Sequence, residues 1–221
     1  MKKNVILYGA FLASISHGLY AQSTQSQAAG DAQQALAKAD RQFFIENKGQ
    51  WPGEVLYLTR MGGLDVWITK QGVNYTFYKI EKDPNAKKRD ENIPRGKFDR
   101  EEWENSTLLG HRVIMDLVGA NANPQREGKQ KQEGYYNYFI GNDPSKHASN
   151  VGLYKEALIK NVYEGIDVRY YFDRGYLRYD YVVQPYADPS RIQFRFRGQY
   201  ADQIKGNKIV YTTRSCCTTL F

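Results

Sequence analysis

The chain of 221 residues has little cysteine and little histidine. Its two cysteines, Cys216 and Cys217, are adjacent. A disulfide between neighbours would close a strained ring and cross-link nothing else, so the sequence excludes a disulfide-based scaffold. It also lacks the CxxC spacing of a thiolate metal site. Of three histidines, only His111 and His147 lie beyond the N-terminal segment, and isolated histidines are more often surface or turn residues than ligands. We therefore predict no metal and no cofactor.

The sequence motifs of common enzyme classes are also missing. No serine has a GxSxG setting, and no glycine-rich phosphate loop precedes a helix. Acidic residues are numerous, so a glycosidase-like carboxylate pair among Asp65, Asp167 and Asp180 is left open. Their spacing does not place any two within catalytic distance, and solvent-facing or turn-capping roles are more common for such residues. We therefore predict no catalytic residues.

No apolar run approaches the roughly 20 residues that span a bilayer. The N-terminus instead has Lys2 and Lys3, an apolar run at residues 5–15, and the small residue Ala21. This layout is typical of a secretory signal peptide, and we predict that residues 1–21 are removed. No cysteine follows the apolar run, which argues against a lipoprotein. Residues 22–42 are rich in Gln, Ala and Ser and are predicted to be a flexible leader or a short helix.

A strong excess of one charge is missing as well. The formal net charge is +7. Removing residues 1–21 takes away two lysines and no acidic residue, which leaves +5. Basic and acidic residues are mostly interspersed, whereas steering of polyanions needs charge concentrated on one face. The sequence therefore predicts no nucleic-acid partner.

Residues that favour β-structure are abundant, with 18 Tyr and 10 Phe. Residues 166–173 and 177–183 both alternate apolar and polar side chains, and Arg174-Gly175 between them supplies a turn, so a β-hairpin is predicted. Further strands are predicted at residues 55–59, 64–69, 73–78, 112–118, 192–197 and 208–212. Short turns join most of them and no helical pattern intervenes. We therefore expect an all-β fold, an antiparallel two-sheet β-sandwich at residues 43–213.

Four segments depart from this strand pattern. Residues 81–105 contain 7 Lys or Arg, 8 Asp or Glu and two prolines, and are predicted to be a long charged loop. Residues 121–134 are predicted to be a second polar loop. Residues 135–140 are aromatic and are expected to be buried. Residues 214–221 show no alternation and are interpreted as an irregular tail, the scar of a truncation or frameshift.

Tryptophans are the first candidates for ligand contact. Trp51, Trp67 and Trp103 would suit a platform on which sugars stack, because an aromatic face attracts polarised C–H groups. Trp67 is out of phase with Val66 and Ile68, so it should lie on the opposite face of its strand. Packing of these rings against a second layer is the more frequent alternative.

Arginines are the second candidates. Arg191, Arg195 and Arg197 are predicted to lie on one face of a strand whose other face is apolar. Such a row of guanidinium groups would bind phosphate or an acidic sugar. More often, a charged row of this kind is solvated and protects a sheet edge.

Three sequence blocks carry a family resemblance. They are Phe44-Ile-Glu-Asn-Lys-Gly-Gln50, Tyr138-Phe-Ile-Gly-Asn-Asp-Pro-Ser-Lys146, and the segment from Tyr163 to Pro189 with its Gly165-Ile-Asp167 and Ala187-Asp-Pro189 motifs. In this order and spacing, they make residues 43–213 resemble the uncharacterised exported all-β domain found ahead of SBBP-type β-propeller repeats in large bacterial surface proteins. The chain departs from the family pattern at His147, Glu164 and Tyr186.

The resemblance implies a non-enzymatic part of a cell-surface protein, often in gliding-type Gram-negative bacteria that use type IX secretion. It supplies no catalytic set to transfer. We therefore expect a non-catalytic exported domain, the N-terminal part of a larger adhesion- or motility-associated protein. Its partners would be surface polysaccharide or other surface proteins. The expected location is the cell surface or extracellular space, or the periplasm for a truncated chain. The alternative is a carbohydrate-binding or glycoside-active module that uses exposed aromatics.

Overall fold

The computed structural model describes residues 42–82 and 106–198 in full, together with the backbone of five short strands outside those ranges. In the described ranges the chain forms strands and two single-turn 3-10 helices, Pro144–Lys146 and Pro189–Arg191, and no α-helix. The strands are β1 (Ile6–Ala10), β2 (Leu12–Ala13), β3 (Phe44–Glu46), β4 (Val55–Met61), β5 (Leu64–Thr69), β6 (Gly72–Lys82), β7 (Ser106–Leu117), β8 (Gln125–Tyr138), β9 (Ala148–Tyr163), β10 (Ile166–Asp173), β11 (Tyr176–Val183), β12 (Phe194–Arg197), β13 (Ala201–Lys205), β14 (Lys208–Thr212) and β15 (Thr218–Leu220).

Most of these strands belong to one antiparallel sheet. Its order is β1-β11-β10-β9-β3-β4-β5-β6-β7-β12, and β8 pairs with β9 beside this path. The remaining strands form a small sheet in the order β13-β14-β15-β2. The prediction of an antiparallel all-β fold is confirmed.

The large sheet curls into a half-barrel because β9 is shared between two sets of strands. The N-terminal part of β9 pairs with β3, with Tyr154 opposite Phe44. Its C-terminal part pairs with β10, with Ile159 opposite Val168. Sixteen residues are long enough to serve both neighbours in turn. The predicted two-sheet sandwich is not confirmed, since hydrogen bonds to β9 place both β3 and β10 in the same large sheet.

The main core lies inside the curl. The inward faces of successive strands contribute buried apolar residues to this core, and Tyr75, Tyr170 and Tyr181 are among the largest. The predicted hairpin is confirmed, with Tyr170 of β10 opposite Tyr179 of β11. Its turn residues Arg174 and Gly175 have φ angles of 50° and 86°, which is the left-handed geometry that a two-residue hairpin turn requires.

The predicted polar loop at residues 121–134 is wrong. Residues 125–138 form β8, a strand of fourteen residues paired along β9. None of them is fully buried. With no buried face the strand shows no alternation of apolar and polar residues, and for that reason the sequence pattern resembles a loop.

Several predictions fall outside the fully described residues. They include most of the charged loop, the leader, Trp103 and the cysteine pair. The segment predicted to be a signal peptide contains the backbone strands β1 and β2, and the predicted tail contains β15. Within the part of the chain that the structure describes, no helix has the length and apolar character to cross a membrane.

Candidate functional site

The outer face of the half-barrel carries a second, smaller apolar cluster. Side chains alternate along β4 and β5, so that Leu58 and its partner Trp67 point away from the main core. The buried members of this cluster are Ile45, Leu58, Ala148, Val151 and Leu153. Aromatic side chains cover them from the solvent side.

These covering rings form what we call the outer aromatic patch: Phe43, Trp51, Trp67, Tyr136 and Tyr138. The centroid of the Trp51 ring lies 5.3 Å from that of Trp67 and 5.4 Å from that of Tyr138. Tyr136 extends the patch towards Phe43, at 5.8 Å between centroids. All of these contacts are edge-to-face, the geometry that aromatic quadrupoles favour.

A loop held together by hydrogen bonds to Asn47 positions Trp51 in the patch. The Asn47 amide donates to the carbonyl oxygens of Trp51, Pro52 and Val55 at 3.2, 3.0 and 2.8 Å. Its side-chain oxygen accepts from the backbone N–H groups of Gly49 and Trp51 at 3.0 and 3.2 Å. Asn47 is 7% exposed. In the first sequence block, the buried side-chain amide of Asn47 therefore closes the loop that positions Trp51.

The second block supplies Tyr138 and, beyond it, strongly exposed apolar residues. Phe139 is 62% and Ile140 78% exposed, and Tyr135 and Tyr136 also face solvent. The expectation that residues 135–140 are buried is wrong. Here β8 is an edge strand paired with β9, and of residues 135–140 only Tyr138 is half-buried.

A polar group lies beside the patch. The Arg60 guanidinium is 3.5 Å from the Asp65 carboxylate, and the Tyr78 hydroxyl donates to Asp65 at 3.4 Å. Burial raises the pKa of Asp65, and Arg60 partly offsets this. Burial also raises the pKa of Tyr138, and the nearby Arg60 charge again opposes the rise. Arg60 therefore belongs electrostatically both to the ion pair and to the aromatic patch.

The structure brings two of the predicted tryptophans together. Trp51 and Trp67 meet at an interplanar angle of 83°. Both pack against the small outer cluster and are half-buried. They are mutually perpendicular, so they do not form one flat platform. Tyr136 and Tyr138 were not identified from the sequence as members of the patch. The Asp143-Pro144 turn indicates only that a strand ends nearby.

The predicted arginine row is only partly present. Arg191 ends a 3-10 helix rather than lying in the strand, and its guanidinium is 3.3 Å from Glu164. Arg197 makes two hydrogen bonds to Asp116, at 2.5 and 2.9 Å. Arg195 is exposed on β12. Since two of the three guanidinium groups already have carboxylate partners, the row does not present a concentrated positive surface.

The three acidic candidates lie on two separate parts of the sheet. Asp65 lies on β5, whereas Asp167 and Asp180 lie on the outer face of the hairpin. Asp167 accepts the Asn161 backbone N–H at 2.7 Å. Asp180, 5% exposed, accepts from the Tyr171 hydroxyl and is 3.4 Å from the Arg169 guanidinium. Each carboxylate therefore has its own hydrogen-bond or ion-pair partner.

Histidine and acidic residues form no metal-binding cluster in the described ranges, where no three His, Cys, Asp or Glu side chains come together. His147 lies in the turn after β8. One ring nitrogen is 3.1 Å from the Gly141 carbonyl oxygen, and its ring packs edge-to-face on Phe139.

Comparison with known families identifies the chain. A family model for a domain of unknown function, DUF7948, matches residues 44–217. The chain belongs to the DUF7948 family. No curated protein and no solved structure matches it. The DUF7948 match includes all three sequence blocks and the whole outer aromatic patch except Phe43. It carries no assigned activity, so the function has to be argued from the site.

Proposed function

We propose that this DUF7948 domain is a non-catalytic binding domain of an exported surface protein, and that it contacts its partner through the outer aromatic patch and the adjoining residues Phe139 and Ile140. The observation that carries the proposal is the series of edge-to-face ring contacts from Trp67 through Trp51 and Tyr138 to Tyr136, followed directly in the chain by the strongly exposed Phe139 and Ile140. Contiguous exposed apolar surface on a folded domain is typical of an interaction site.

The composition of this surface fits a protein-protein or protein-polymer interface. Aromatic residues are enriched at the centres of such interfaces, and charged residues lie at their rims. Here Tyr136, Phe139 and Ile140 would be buried by a partner, while Arg60, which interacts with Tyr138, and its ion-pair partner Asp65 lie beside the patch. Burying a large apolar side chain contributes about 1.5–3 kcal/mol.

A non-catalytic role is supported by the acidic residues. Asp65, Asp167 and Asp180 each have a partner within the fold, and the two on the hairpin share an outer face with Arg169. A glycosidase needs two carboxyl groups facing one another across a substrate.

Export and the larger setting are proposed from the sequence. The signal-peptide layout of residues 1–21 and the resemblance to domains ahead of SBBP-type repeats support a surface protein of adhesion or motility. In that setting the partner is a surface polysaccharide or another surface protein, and the domain is the N-terminal part of the whole.

The test is binding of residues 22–221 to immobilised surface polysaccharide and surface-protein fractions of a bacterium that encodes the protein. The double substitution F139S/I140S should weaken binding at least about tenfold, because two exposed apolar contacts are lost. Tyr176→Ser, at an exposed residue on the hairpin tip, is the matched control and should bind normally. Binding that survives F139S/I140S unchanged would rule out this surface.

A carbohydrate-binding module is the second candidate, favoured by the polar group beside the rings. Sugar sites combine an aromatic ring with hydrogen-bonding side chains, and Tyr138 lies close to Arg60 and Asp65. A glycan array should then show binding that Arg60→Ala and Tyr136→Ala both remove. Protein-only binding that depends on Phe139 and Ile140, with no glycan retained, would favour the first candidate over this one.

A further inference from the structure

At one margin of the large sheet, strand β11 is paired with a segment that export is predicted to remove. β11 pairs with β10 on one side and with β1 on the other. In that second pairing Ile6 faces Val182 and Ala10 faces Arg178. Because β1 lies within the predicted signal peptide, cleavage would leave the β11 backbone with an unpaired edge along residues 178–182.

This edge differs from the other two strands that lie at margins of the sheet. β8 carries Lys129 and Lys131, and β12 is short and carries Arg195 and Arg197. Charged and short edges resist pairing with other chains. β11 is eight residues long, and its inner-face residues Tyr179, Tyr181 and Val183 belong to the main core. Its two charged residues, Arg178 and Asp180, have opposite signs, so unlike a row of like charges they do not repel a second copy of the same strand.

The β11 sequence is complementary to itself in antiparallel register. Centred on Tyr179, the pairing would place Arg178 opposite Asp180 of a second copy, and the reverse. It would also place Leu177 opposite Tyr181 of the second copy. Cross-strand pairs of opposite charge and of aromatic with apolar residues both stabilise antiparallel sheets. A two-fold axis satisfies all of these pairs at once.

We propose that the mature chain forms a dimer by pairing its β11 edge with β11 of a second copy, with Tyr179 facing Tyr179 of that copy. In the uncleaved chain β1 occupies the same edge and blocks the dimer. The proposal rests on the predicted cleavage and is independent of the outer aromatic patch.

The present partners of the charged residues are compatible with this pairing. Arg178 is 2.8 Å from Asp173, and Asp180 is 3.4 Å from Arg169, all within one chain. A guanidinium has five N–H donors, and a carboxylate accepts several hydrogen bonds. Each charge can therefore keep its partner in the same chain and gain one across the dimer.

The first experiment measures sedimentation of residues 22–221 over a range of concentrations, with and without a synthetic peptide of residues 4–13. A concentration-dependent dimer should form, and excess peptide should return it to monomer. Hydrogen exchange at residues 178–182 should slow as the dimer forms. A chain that remains monomeric at every concentration would overturn the proposal.

The second experiment uses a charge swap between two variants. Arg178→Asp alone places acid opposite acid, and Asp180→Arg alone places base opposite base, so each should raise the dimer dissociation constant at least about tenfold. Mixed together, the two variants should form a heterodimer, because Asp at position 178 of one then faces Arg at position 180 of the other. Thermal unfolding by circular dichroism identifies variants that fail to fold. If both variants fold and the mixture remains monomeric while the unmodified chain dimerises, the proposed register is wrong.

Discussion

The β10–β11 hairpin and β8 are both antiparallel strands of the same curled sheet, yet only the hairpin was predictable. In the hairpin Ile166, Val168 and Tyr170 are at most 2% exposed, and the residues between them are half-buried. β8 has no buried residue in its fourteen. The comparison shows that alternation of apolar and polar residues indicates a buried face. A strand without a buried residue can still form when a neighbour supplies its hydrogen bonds.

What fixes β8 in place comes from other parts of the chain. β9 pairs with it from Lys160 at one end to Ala148 at the other. Arg126 donates to the carbonyl oxygens of Leu56 and Asn47 at 3.0 and 2.8 Å. These contacts are non-local, so no window of sequence around β8 contains them.

The largest test of this comparison is a matched pair of tyrosine truncations. Tyr170→Ala in the hairpin should lower the free energy of unfolding by about 3–5 kcal/mol, because it leaves a cavity in the main core. Tyr135→Ala in β8 should change it by less than about 0.5 kcal/mol, since Tyr135 is 56% exposed. Urea denaturation of both variants provides the measurement. Equal losses would mean that β8 packs against something that its exposure does not reveal.

Much of the fold was predictable because burial is one-sided in most strands. The hairpin, β5 and β14 lie where the sequence placed them, and β6 begins within a residue of its predicted start. The curl was not predictable, because it depends on β9 pairing with β3 and β10 in turn. β7 begins at Ser106 rather than at residue 112, since its first residues are exposed and show no alternation.

A second test addresses the loop on which β8 is anchored. Asn47→Ala removes three donated and two accepted hydrogen bonds inside a closed loop, and should cost about 2 kcal/mol because buried carbonyl and N–H groups lose their partners. Trp51 should also become more exposed, which a red shift of tryptophan fluorescence would report. Gln50→Ala, in the same loop, is the control and should cost clearly less. A native fluorescence spectrum in Asn47→Ala would show that Trp51 is placed by ring packing alone.

Two of the aromatic residues in the candidate site could be predicted from the sequence, and two could not. Trp51 and Trp67 stood out by residue type, and the phase of Trp67 in its strand placed it on the outer face. Tyr136 and Tyr138 were expected to be buried, because an aromatic run usually marks a core strand. Tyr136 is instead exposed and Tyr138 half-buried, because β8 is an edge strand paired with β9, which is a property of the topology.

A third test removes the anchor of β8 itself. Arg126→Ala should lower the free energy of unfolding by about 1–2 kcal/mol, a discounted value because its side chain is 31% exposed. Lys131→Ala, an exposed residue of the same strand, should have almost no effect. Hydrogen exchange along β8 should accelerate only in the Arg126 variant. Unchanged exchange there would show that pairing with β9 is sufficient to hold the strand.

The smallest expected effect concerns the turns that follow β8 and β11. After β8 Asp143 caps a 3-10 helix, and after β11 Asp188 does the same, each through the serine two residues on. The hydroxyl and then the backbone N–H of that serine hold the pKa of each aspartate below its ordinary value of 3.8.

Because the folded pKa is lowered, the cap stabilises the fold above the unfolded pKa and is lost as pH falls through the folded one. Ser145→Ala and Ser190→Ala should each raise the pKa of the preceding aspartate, by similar amounts, in a carboxyl NMR titration. Equal shifts would show that local turn chemistry is the same after a predictable strand and after an unpredictable one. A shift at Asp188 alone would mean that the turn after β8 depends on its surroundings, as the strand before it does.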